Sequence, residues 1–391
     1  MRNYGRQEEL LMNSEDYEKK LQELVSVHLP QNRNTWALSW KEKGKKVVGI
    51  LDTLAPEEIL YAAGILPYRI VGTQNASTPL AEIWRPPDMC RFCNHVLESL
   101  LIGELDFLDG ILFTDWDDDE RRLYDVPLHL GKPKFNYLLH VPHGDSEICV
   151  KIYERDLMRV VDWLHESFNA TLEDERLWEV IRLYNKMRKL LTTLYEWRKR
   201  KVPAISGTEA AGIVMAAYFM PKEEFVSQLD SLMGYLEQRK APLEKLTPRL
   251  LLVSDHLDNL EYTKLIETHG TIAMDDLDNG SRYFWDKVET DTNPLHSLSR
   301  RYITRPSEPC KWFWHKQVDR VIEWIKEYNI QGVLQLPHIG DQDRLSCTPY
   351  FLNRLKGLGI PAMSFTREYH FANVGQLNTR IEAFLETLRL K

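Results

Sequence analysis

The chain has 391 residues, and its 43% hydrophobic and 28% charged residues describe a globular protein with material for more than one core. A net charge of −8 and a pI near 5.9 argue against a nucleic-acid partner, which would require a basic face. The N-terminus shows no apolar signal segment, no uncharged run approaches the roughly 18 residues of a membrane span, and five cysteines are too few for a disulfide framework. We therefore expect a cytoplasmic protein that contacts neither nucleic acid nor membrane.

The first part of the chain predicts a polar helical segment over 1–45 and then a lobe of alternating strands and helices. Short apolar strands are predicted at 46–51, 66–71, 109–114 and 134–139. Pro67 cannot donate a hydrogen bond to a neighbouring strand, so it indicates an irregular or edge position for the second strand. Strands and helices alternate at the spacing of βαβ units, which predicts one parallel α/β lobe over 46–149.

The middle of the chain, 150–243, predicts an α-helical bridge. A capping-box-like start at 171–174 precedes apolar residues at helical spacing, and the basic run 198–201 is interpreted as a solvated helix end. Strands are then predicted again at 249–254, 271–274, 332–336 and 361–365. Residues 244–391 are therefore assigned to a second lobe, and the fold class is α/β, with two parallel-sheet lobes joined by a helical segment.

One segment of the first lobe carries most of the recognisable chemistry. Cys90 and Cys93 open a predicted helix, which leads into a strand that ends in the acidic run 115–120. Strand ends of this kind face the ligand crevice of an open α/β sheet, where a thiolate pair suits zinc or an iron–sulfur cluster. The alternative is that both cysteines are small apolar helix residues and the acidic run is a solvated cap. No second Cys-x-x-Cys accompanies the first, so both interpretations stand.

Two common nucleotide-binding motifs are missing from the sequence. No Gly-x-Gly-x-x-Gly follows a predicted strand, and 207–212 has only half of the spacing of a P-loop. We therefore expect that the chain binds neither a nicotinamide dinucleotide nor ATP itself.

Several separate motifs, in order, resemble the family of 2-hydroxyacyl-CoA dehydratases and benzoyl-CoA reductases. They lie at 55–67, around Cys90, and at 108–113, 275–285, 332–334, 359–362 and 375–386. The resemblance implies two flavodoxin-like lobes in this chain and pairing with a paralogous, cluster-bearing subunit. It also implies a [4Fe-4S] cluster, held by three cysteines between the lobes and beside a CoA-thioester substrate.

The same resemblance implies radical chemistry at very low potential. A separate ATP-hydrolysing iron–sulfur activator, with ferredoxin as the upstream donor, would supply single electrons, and iron–sulfur clusters reach roughly −700 mV. The dehydratases of this family eliminate water, whereas the reductases add electrons and protons to an aromatic ring. The acidic run after the third strand resembles the reductase-type subunits more closely.

The family's three-cysteine pattern is matched directly only at its first position. The second cysteine is expected just after the third strand, where Trp116 stands instead, and the third near Gly340 or Asp341. The predicted metal ligands are Cys90, Cys93 and Cys347. These three form a rearranged set, or else this subunit lacks a cluster of its own and supports one in its partner.

Two further site predictions rest on the resemblance and on position. Glu58, in the turn after the first strand, is the predicted acid–base group, with a pKa raised by a dry crevice; the alternative is a carboxylate that complements a helix dipole. Ser281 and Arg282 follow a strand end and are predicted to bind the thioester oxygen or a CoA phosphate. The alternative there is a helix cap in which Arg282 pairs with Asp276 or Asp278.

These observations predict a subunit of an ATP-dependent, ferredoxin-linked benzoyl-CoA-type reductase that acts at an iron–sulfur site. Two alternatives remain open from the sequence. The first is a 2-hydroxyacyl-CoA dehydratase subunit, and the second is a cluster-free structural partner that contributes an interface and part of the acyl-CoA pocket.

Overall fold

A computed structural model describes residues 14–240, 242–243, 247–306, 309 and 311–389. Within these ranges the chain forms two parallel β-sheets, each flanked by helices, with further helices between them. Most of the strands are buried over their whole length, as expected for short apolar strands that are covered on both faces. The predicted α/β fold class is confirmed.

The first lobe is a four-stranded sheet. Its strands are β1 (Val47–Ile50), β2 (Leu66–Arg69), β3 (Gly110–Thr114) and β4 (Phe135–Leu139). Its helices are α3 (Glu57–Ala62), α4 (Arg91–Leu101) and α5 (Asp118–Leu130). The strands are parallel and lie in the order β2-β1-β3-β4, so β2 is an edge strand, as Pro67 indicated.

The second lobe repeats this arrangement. Its strands are β5 (Arg249–Ser254), β6 (Thr271–Leu277), β7 (Gly332–Gln335) and β8 (Ala362–Ser364). Its helices are α10 (Glu261–Glu267), α11 (Ser281–Phe284), α12 (Pro294–Thr304), α13 (His315–Glu327), α14 (Gln342–Gly357) and α15 (Val374–Arg389). The parallel order β6-β5-β7-β8 matches that of the first sheet, and both follow the order typical of flavodoxin-like folds. Strand β6 continues three residues beyond its predicted end.

Helices before and between the lobes complete the molecule. They are α1 (Ser14–Val25), α2 (Thr35–Glu42), α6 (Glu147–Phe168), α7 (Asp174–Trp197), α8 (Gly207–Phe219) and α9 (Lys222–Gln238). Helix α8 is almost entirely buried and contacts both β2 and β6, the equivalent edge strands of the two sheets. A helix that is apolar all round is expected in such a position, because each of its faces meets another element.

Two local predictions in the helical bridge are wrong. Helix α7 begins at Asp174 after Glu173, which makes no side-chain cap, so 171–174 is not a capping box. The capping box lies instead at Ser206, before α8. The basic run after α7 is not uniformly solvated, because Arg198 is fully buried and its Nη1 lies 3.1 Å from Asp275 Oδ2.

The two lobes contact each other through buried polar groups at the C-terminal ends of their strands. Arg69, at the end of β2, forms an ion pair with Asp278 of the second lobe, and Arg305 donates to the Thr53 carbonyl oxygen at 2.6 Å. The strand ends of both sheets therefore face the same interface. None of the helices in the described ranges is long and apolar enough to cross a membrane.

Candidate functional site at the interface of the lobes

A cavity of about 320 Å³ lies between the lobes, where the C-terminal ends of the central strands face each other. We call it the interlobe cavity. Its described lining is formed by 88–90, 116–119, 255–256, Pro309, His338 and 340–343. These segments precede α4, connect β3 to α5, follow β5 and connect β7 to α14. Ligands of open α/β sheets bind at this edge, so the interlobe cavity is the candidate site.

Among the described residues, Cys90 is the thiol that lines the interlobe cavity. It is the N-cap residue of α4, and its Sγ lies 3.2 Å from Nε2 of His338 across the lobe interface. A hydrogen bond with the Cys93 side chain is the largest influence that lowers the pKa of the Cys90 thiol, and the charge of His338 lowers it further against the opposing effect of burial. The net effect lowers the pKa of the Cys90 thiol well below its usual range.

His338 connects this sulfur to a carboxylate. Burial alone would lower the pKa of His338, but the negative charge on Cys90 outweighs burial and raises it. On the other side of the ring, Nδ1 lies 3.7 Å from Asp341 Oδ2, and neither atom has a hydrogen-bond partner among the described residues. Burial and the nearby Asp255 raise the pKa of Asp341 to about 7. Cys90, His338 and Asp341 therefore lie in this order across the lobe interface.

The structure does not bring the three predicted metal ligands together in the interlobe cavity. Cys93 is fully buried behind Cys90, and burial raises the pKa of its thiol well above the usual range. Cys347 lines a different cavity, beside Arg344 and Phe351. Within the described ranges, no three His, Cys, Asp or Glu side chains are grouped closely enough to hold a metal ion.

The other positions at which the family pattern expects thiols do line the interlobe cavity, but they carry other residues. Trp116 and Asp341 stand there, beside Gly340. Gly340 has φ +83°, and a Cβ atom at this position would lie 2.3 Å from the Met89 carbonyl oxygen, so the backbone excludes a side chain. Iron–sulfur clusters are held by thiolates, and among the described residues this wall offers one thiol, that of Cys90, beside several carboxyl groups. The described donor set therefore does not fit a cluster held by three cysteines.

Carboxyl groups dominate the rest of the wall. Burial, with the charge of Cys90, raises the pKa of Asp117 well above its usual range, and the same two causes raise that of Asp119. Burial and the nearby Asp255 raise the pKa of Asp343. These groups hold protons more tightly than ordinary aspartates, because the cavity removes water from them and places other negative charges nearby.

Glu58 has a different environment from the one that we expected. It is fully buried, forms an ion pair with Arg188 of α7, and accepts a hydrogen bond from Tyr302 Oη at 2.8 Å. Burial raises the pKa of Glu58, but the charges of Arg188 and Arg301 outweigh burial and hold the pKa below its ordinary value. We expected a raised pKa. Glu58 is not part of the described lining of the interlobe cavity, and its role as acid–base group stays a prediction.

Ser281 and Arg282 are also engaged with the protein itself. Ser281 donates its hydroxyl to the Asp275 carbonyl oxygen at 2.7 Å, at the start of the short helix α11. Arg282 is buried, forms an ion pair with Asp255, and places Nε 2.9 Å from Asp276 Oδ1. Pairing with Asp276 is the arrangement that the alternative interpretation described. The binding role of these two residues stays a prediction.

Comparisons with known proteins agree with this architecture. The sequence profile of the family described as 2-hydroxyglutaryl-CoA dehydratase, D-component, matches residues 52–388 of this chain. The chain belongs to this family. The match begins just after β1 and ends within α15, so it includes the second lobe, the first lobe apart from β1, and the described lining of the interlobe cavity. It confirms the resemblance drawn from the separate motifs.

Individual relatives of this family match at low identity but over nearly their whole length. The chain is 25% identical to the beta subunit of (R)-2-hydroxyglutaryl-CoA dehydratase from Acidaminococcus fermentans, with 90% of this chain and 95% of the relative covered. It is 22% identical to the (R)-phenyllactyl-CoA dehydratase beta subunit from Clostridium sporogenes (89% and 93%) and 23% identical to a benzoyl-CoA reductase subunit from Thauera aromatica (91% and 95%). All three are named as subunits of enzymes.

Sequence reasoning did not identify His338 as a site residue. Its position carried a usable signal, because it follows β7 by three residues and parallel strands direct such residues toward the ligand edge of the sheet. In this member of the D-component family, that edge brings His338 to Cys90, a residue of the other lobe. The pairing itself depends on how the lobes meet.

Proposed function

We propose that this chain is a subunit of an enzyme that acts on an acyl-CoA thioester, and that it pairs with a paralogous subunit which carries the [4Fe-4S] cluster. One observation carries the proposal. The positions at which the family pattern expects cluster ligands converge on the interlobe cavity, yet only Cys90 among them is a thiol. A subunit with this fold, and with one thiol in the described lining of the cavity, is suited to pairing with a cluster-bearing relative.

The remaining components follow from the same proposal. The relatives are named as dehydratase or reductase subunits, which supports a multi-subunit enzyme. A separate ATP-hydrolysing iron–sulfur activator would supply electrons, with ferredoxin as the upstream donor. The sequence contains no P-loop, and in this proposal ATP hydrolysis takes place in the activator rather than in this chain.

Two reactions are candidates. Reduction of an aromatic acyl-CoA of the benzoyl-CoA type is the reaction that we predicted from the acidic run after β3, and a benzoyl-CoA reductase subunit is among the relatives. Dehydration of a 2-hydroxyacyl-CoA is the second candidate, and the names of the (R)-phenyllactyl-CoA, (R)-2-hydroxyglutaryl-CoA and lactoyl-CoA dehydratase subunits favour it.

Iron and sulfide analysis tests the assignment of the cluster. The chain should be produced anaerobically with its paralogous partner, and the two subunits separated before analysis. We expect iron in the partner and less than one iron per copy of this chain. The Cys90→Ser variant should leave the iron content of the complex unchanged, with Cys149→Ser as a control. Four irons per copy of this chain, lost in the Cys90→Ser variant, would contradict the proposal.

Product analysis tests the reaction. The complex, its activator and a low-potential electron donor should be incubated in parallel with benzoyl-CoA and with a 2-hydroxyacyl-CoA. A dienoyl product from the first supports the reductase, and an enoyl-CoA from the second supports the dehydratase. Turnover of neither, in a complex that holds its full iron content, would contradict both candidate reactions.

A further inference from the structure

The interlobe cavity contains the elements of a second chemistry that needs no cluster. Cys90 Sγ and His338 Nε2 are 3.2 Å apart, and Asp341 lies behind the ring at 3.7 Å from Nδ1. A nucleophile beside a base, with the base faced by a carboxyl group, is the arrangement that activates cysteine and serine for covalent catalysis. The three residues come from segments on opposite sides of the lobe interface, so the arrangement belongs to the folded chain alone.

A hydrogen-bond donor without a partner belongs to another residue of the same wall. Trp116 lines the interlobe cavity and is 6% exposed, and its Nε1 has no hydrogen-bond partner among the described residues. A buried N–H group without a partner costs free energy that a bound acceptor would recover. An indole N–H in this position is suited to a carbonyl oxygen, and it could also stabilise negative charge that develops on that oxygen during attack.

We propose that Cys90 is a nucleophile that accepts the acyl group of a thioester in the interlobe cavity, with His338 as its proton carrier and Asp341 as a positioning residue. The choice of a thioester rests on the proposed function. The nucleophilic character of Cys90 does not, because it follows from the contacts of this chain alone.

The step balances without a redox partner. Cys90 gives its proton to His338 Nε2, and its sulfur attacks the thioester carbonyl carbon; a new carbon–sulfur bond forms, and the bond from that carbon to the leaving sulfur breaks. The leaving thiolate takes the proton from His338 Nε2 and departs as a thiol. Cys90 is then S-acylated and His338 is neutral. No atom changes its oxidation state.

The acidic side chains of the wall limit what enters. Asp117, Asp119, Asp341 and Asp343 line the interlobe cavity together with Asp255. Carboxyl groups supply no counter-charge to an anion, whether they are protonated or ionised, so the uncharged acyl and thioester portion would occupy the cavity while the phosphates of a CoA remain outside. The same argument predicts that small uncharged electrophiles reach Cys90 faster than anionic ones.

Alkylation of the purified chain tests the nucleophile. Iodoacetamide should be applied anaerobically at about pH 6, where a thiol of ordinary pKa is almost fully protonated, and each cysteine peptide followed by mass spectrometry. We expect Cys90 to react at least about tenfold faster than the half-buried Cys149, and the His338→Gln variant to lose most of that advantage. The ratio of the alkylation rate with iodoacetamide to the rate with iodoacetate should be larger at Cys90 than at Cys149. Equal rates at the two cysteines would overturn the proposal, and this comparison needs no variant.

Acyl transfer is tested with an uncharged thioester, an S-acyl N-acetylcysteamine, added to the same chain without partner, activator or CoA. We expect the Cys90 peptide to gain the mass of the acyl group, and the Cys90→Ser variant to gain none at that peptide. Asp341→Asn should slow the transfer less than His338→Gln does. Rapid alkylation without an acyl adduct would overturn the acyl-acceptor role. Since neither assay uses the assembled enzyme, a failure here is separate from a failure of the proposed function.

Discussion

The two lobes share more than a strand order, because they place aspartates at the same topological positions. Asp52 follows β1, and Asp255 follows β5, the equivalent strand of the second sheet. Asp117 caps α5 after β3, and Asp341 caps α14 after β7. Each cap accepts the backbone amide three residues later, at 2.6 and 3.1 Å. The common topology therefore sets where carboxyl groups meet the interlobe cavity.

The lobes differ in the helix residue, in α14 or α5, whose side chain contacts the aspartate after the first strand of its sheet. In the second lobe this residue is Arg344, whose Nε lies 2.7 Å from Asp255 Oδ2. Burial raises the pKa of Asp255, but the charges of Arg282 and Arg344 hold it well below its usual range. In the first lobe the equivalent residue is Glu120, and burial together with the charge of Asp52 raises its pKa well above the usual range.

The two lobes thus differ at one pair of equivalent helix positions, where the first lobe has Glu120 and the second has Arg344. Arg344 forms an ion pair with a carboxylate, whereas Glu120 lies beside a second acid. In the second lobe, the Asp255 carboxylate at the end of β5 accepts two hydrogen bonds from the Arg344 guanidinium. The first lobe keeps two acids together, with Thr114 Oγ1 donating toward both of them. Equivalent positions in a repeated fold can therefore carry opposite charge states, and the following predictions address that difference.

The largest effect is expected for Asp255→Asn. This change leaves the buried Arg344 without its counter-charge and weakens the pairing of Arg282, so we expect unfolding to become easier by about 3–5 kcal/mol. Chemical denaturation measures the loss. Asp319→Asn, which removes one partner of the exposed pair with Arg354, is the matched control and should change stability by less than about 1 kcal/mol. A similar loss of stability for both variants would show that the contacts of Asp255 with Arg282 and Arg344 do not stabilise the second lobe.

Glu58→Gln tests the ionised carboxylate of the first lobe. The amide keeps an acceptor for Tyr302 but leaves Arg188 without a counter-charge, so we expect a loss of roughly 2–3 kcal/mol, measured by thermal or chemical denaturation. Arg182→Gln on the same helix, α7, is exposed and serves as the control. Unchanged stability together with a loss of turnover would instead support the catalytic role that we first predicted.

Glu120→Gln should act in the opposite sense to Asp255→Asn. The pKa of Glu120 is raised in the folded state, so the folded chain binds more protons than the unfolded chain, and stability falls as pH rises from about 4.3 through the folded pKa. The variant removes this titration. We expect a gain of about 1 kcal/mol at pH 8 and a flatter stability curve between pH 5 and 8, since a Gln amide can donate to Asp52. A steeper dependence of stability on pH in the variant would contradict a raised pKa of Glu120 in the folded chain.

The smallest effect is expected at the two helix caps, which the lobes share. Asn caps a helix about as well as Asp, so Asp117→Asn and Asp341→Asn should each change stability by less than about 0.5 kcal/mol near pH 4, where the raised folded pKa of each carboxyl group contributes little. Alanine at either position should cost about 1 kcal/mol, because the amide of the first helical turn then loses its acceptor. Parallel denaturation curves of the four variants measure this. A large loss for one Asn variant alone would show that the caps are not equivalent.

The sequence by itself determined the elements and their grouping into lobes. Apolar runs at strand and helix spacing located all eight described strands, and Pro67 indicated the edge position of β2. These features are readable because burial on both faces of a parallel sheet leaves a continuous apolar run in the sequence. Several separate motifs in order likewise indicated the family, which the match over 52–388 confirms.

Only the tertiary structure decided the state of the polar residues. Arg198 reads as a solvated helix end but is buried against Asp275, and Cys90 meets His338 rather than Cys347. A charged or sulfur-containing side chain takes its pKa and its role from partners that are far away in sequence. Such partners leave no periodic trace in the sequence around the residue, because hydrophobic spacing records only which face of an element is buried. The packing of the lobes therefore assigns the chemistry of the interlobe cavity.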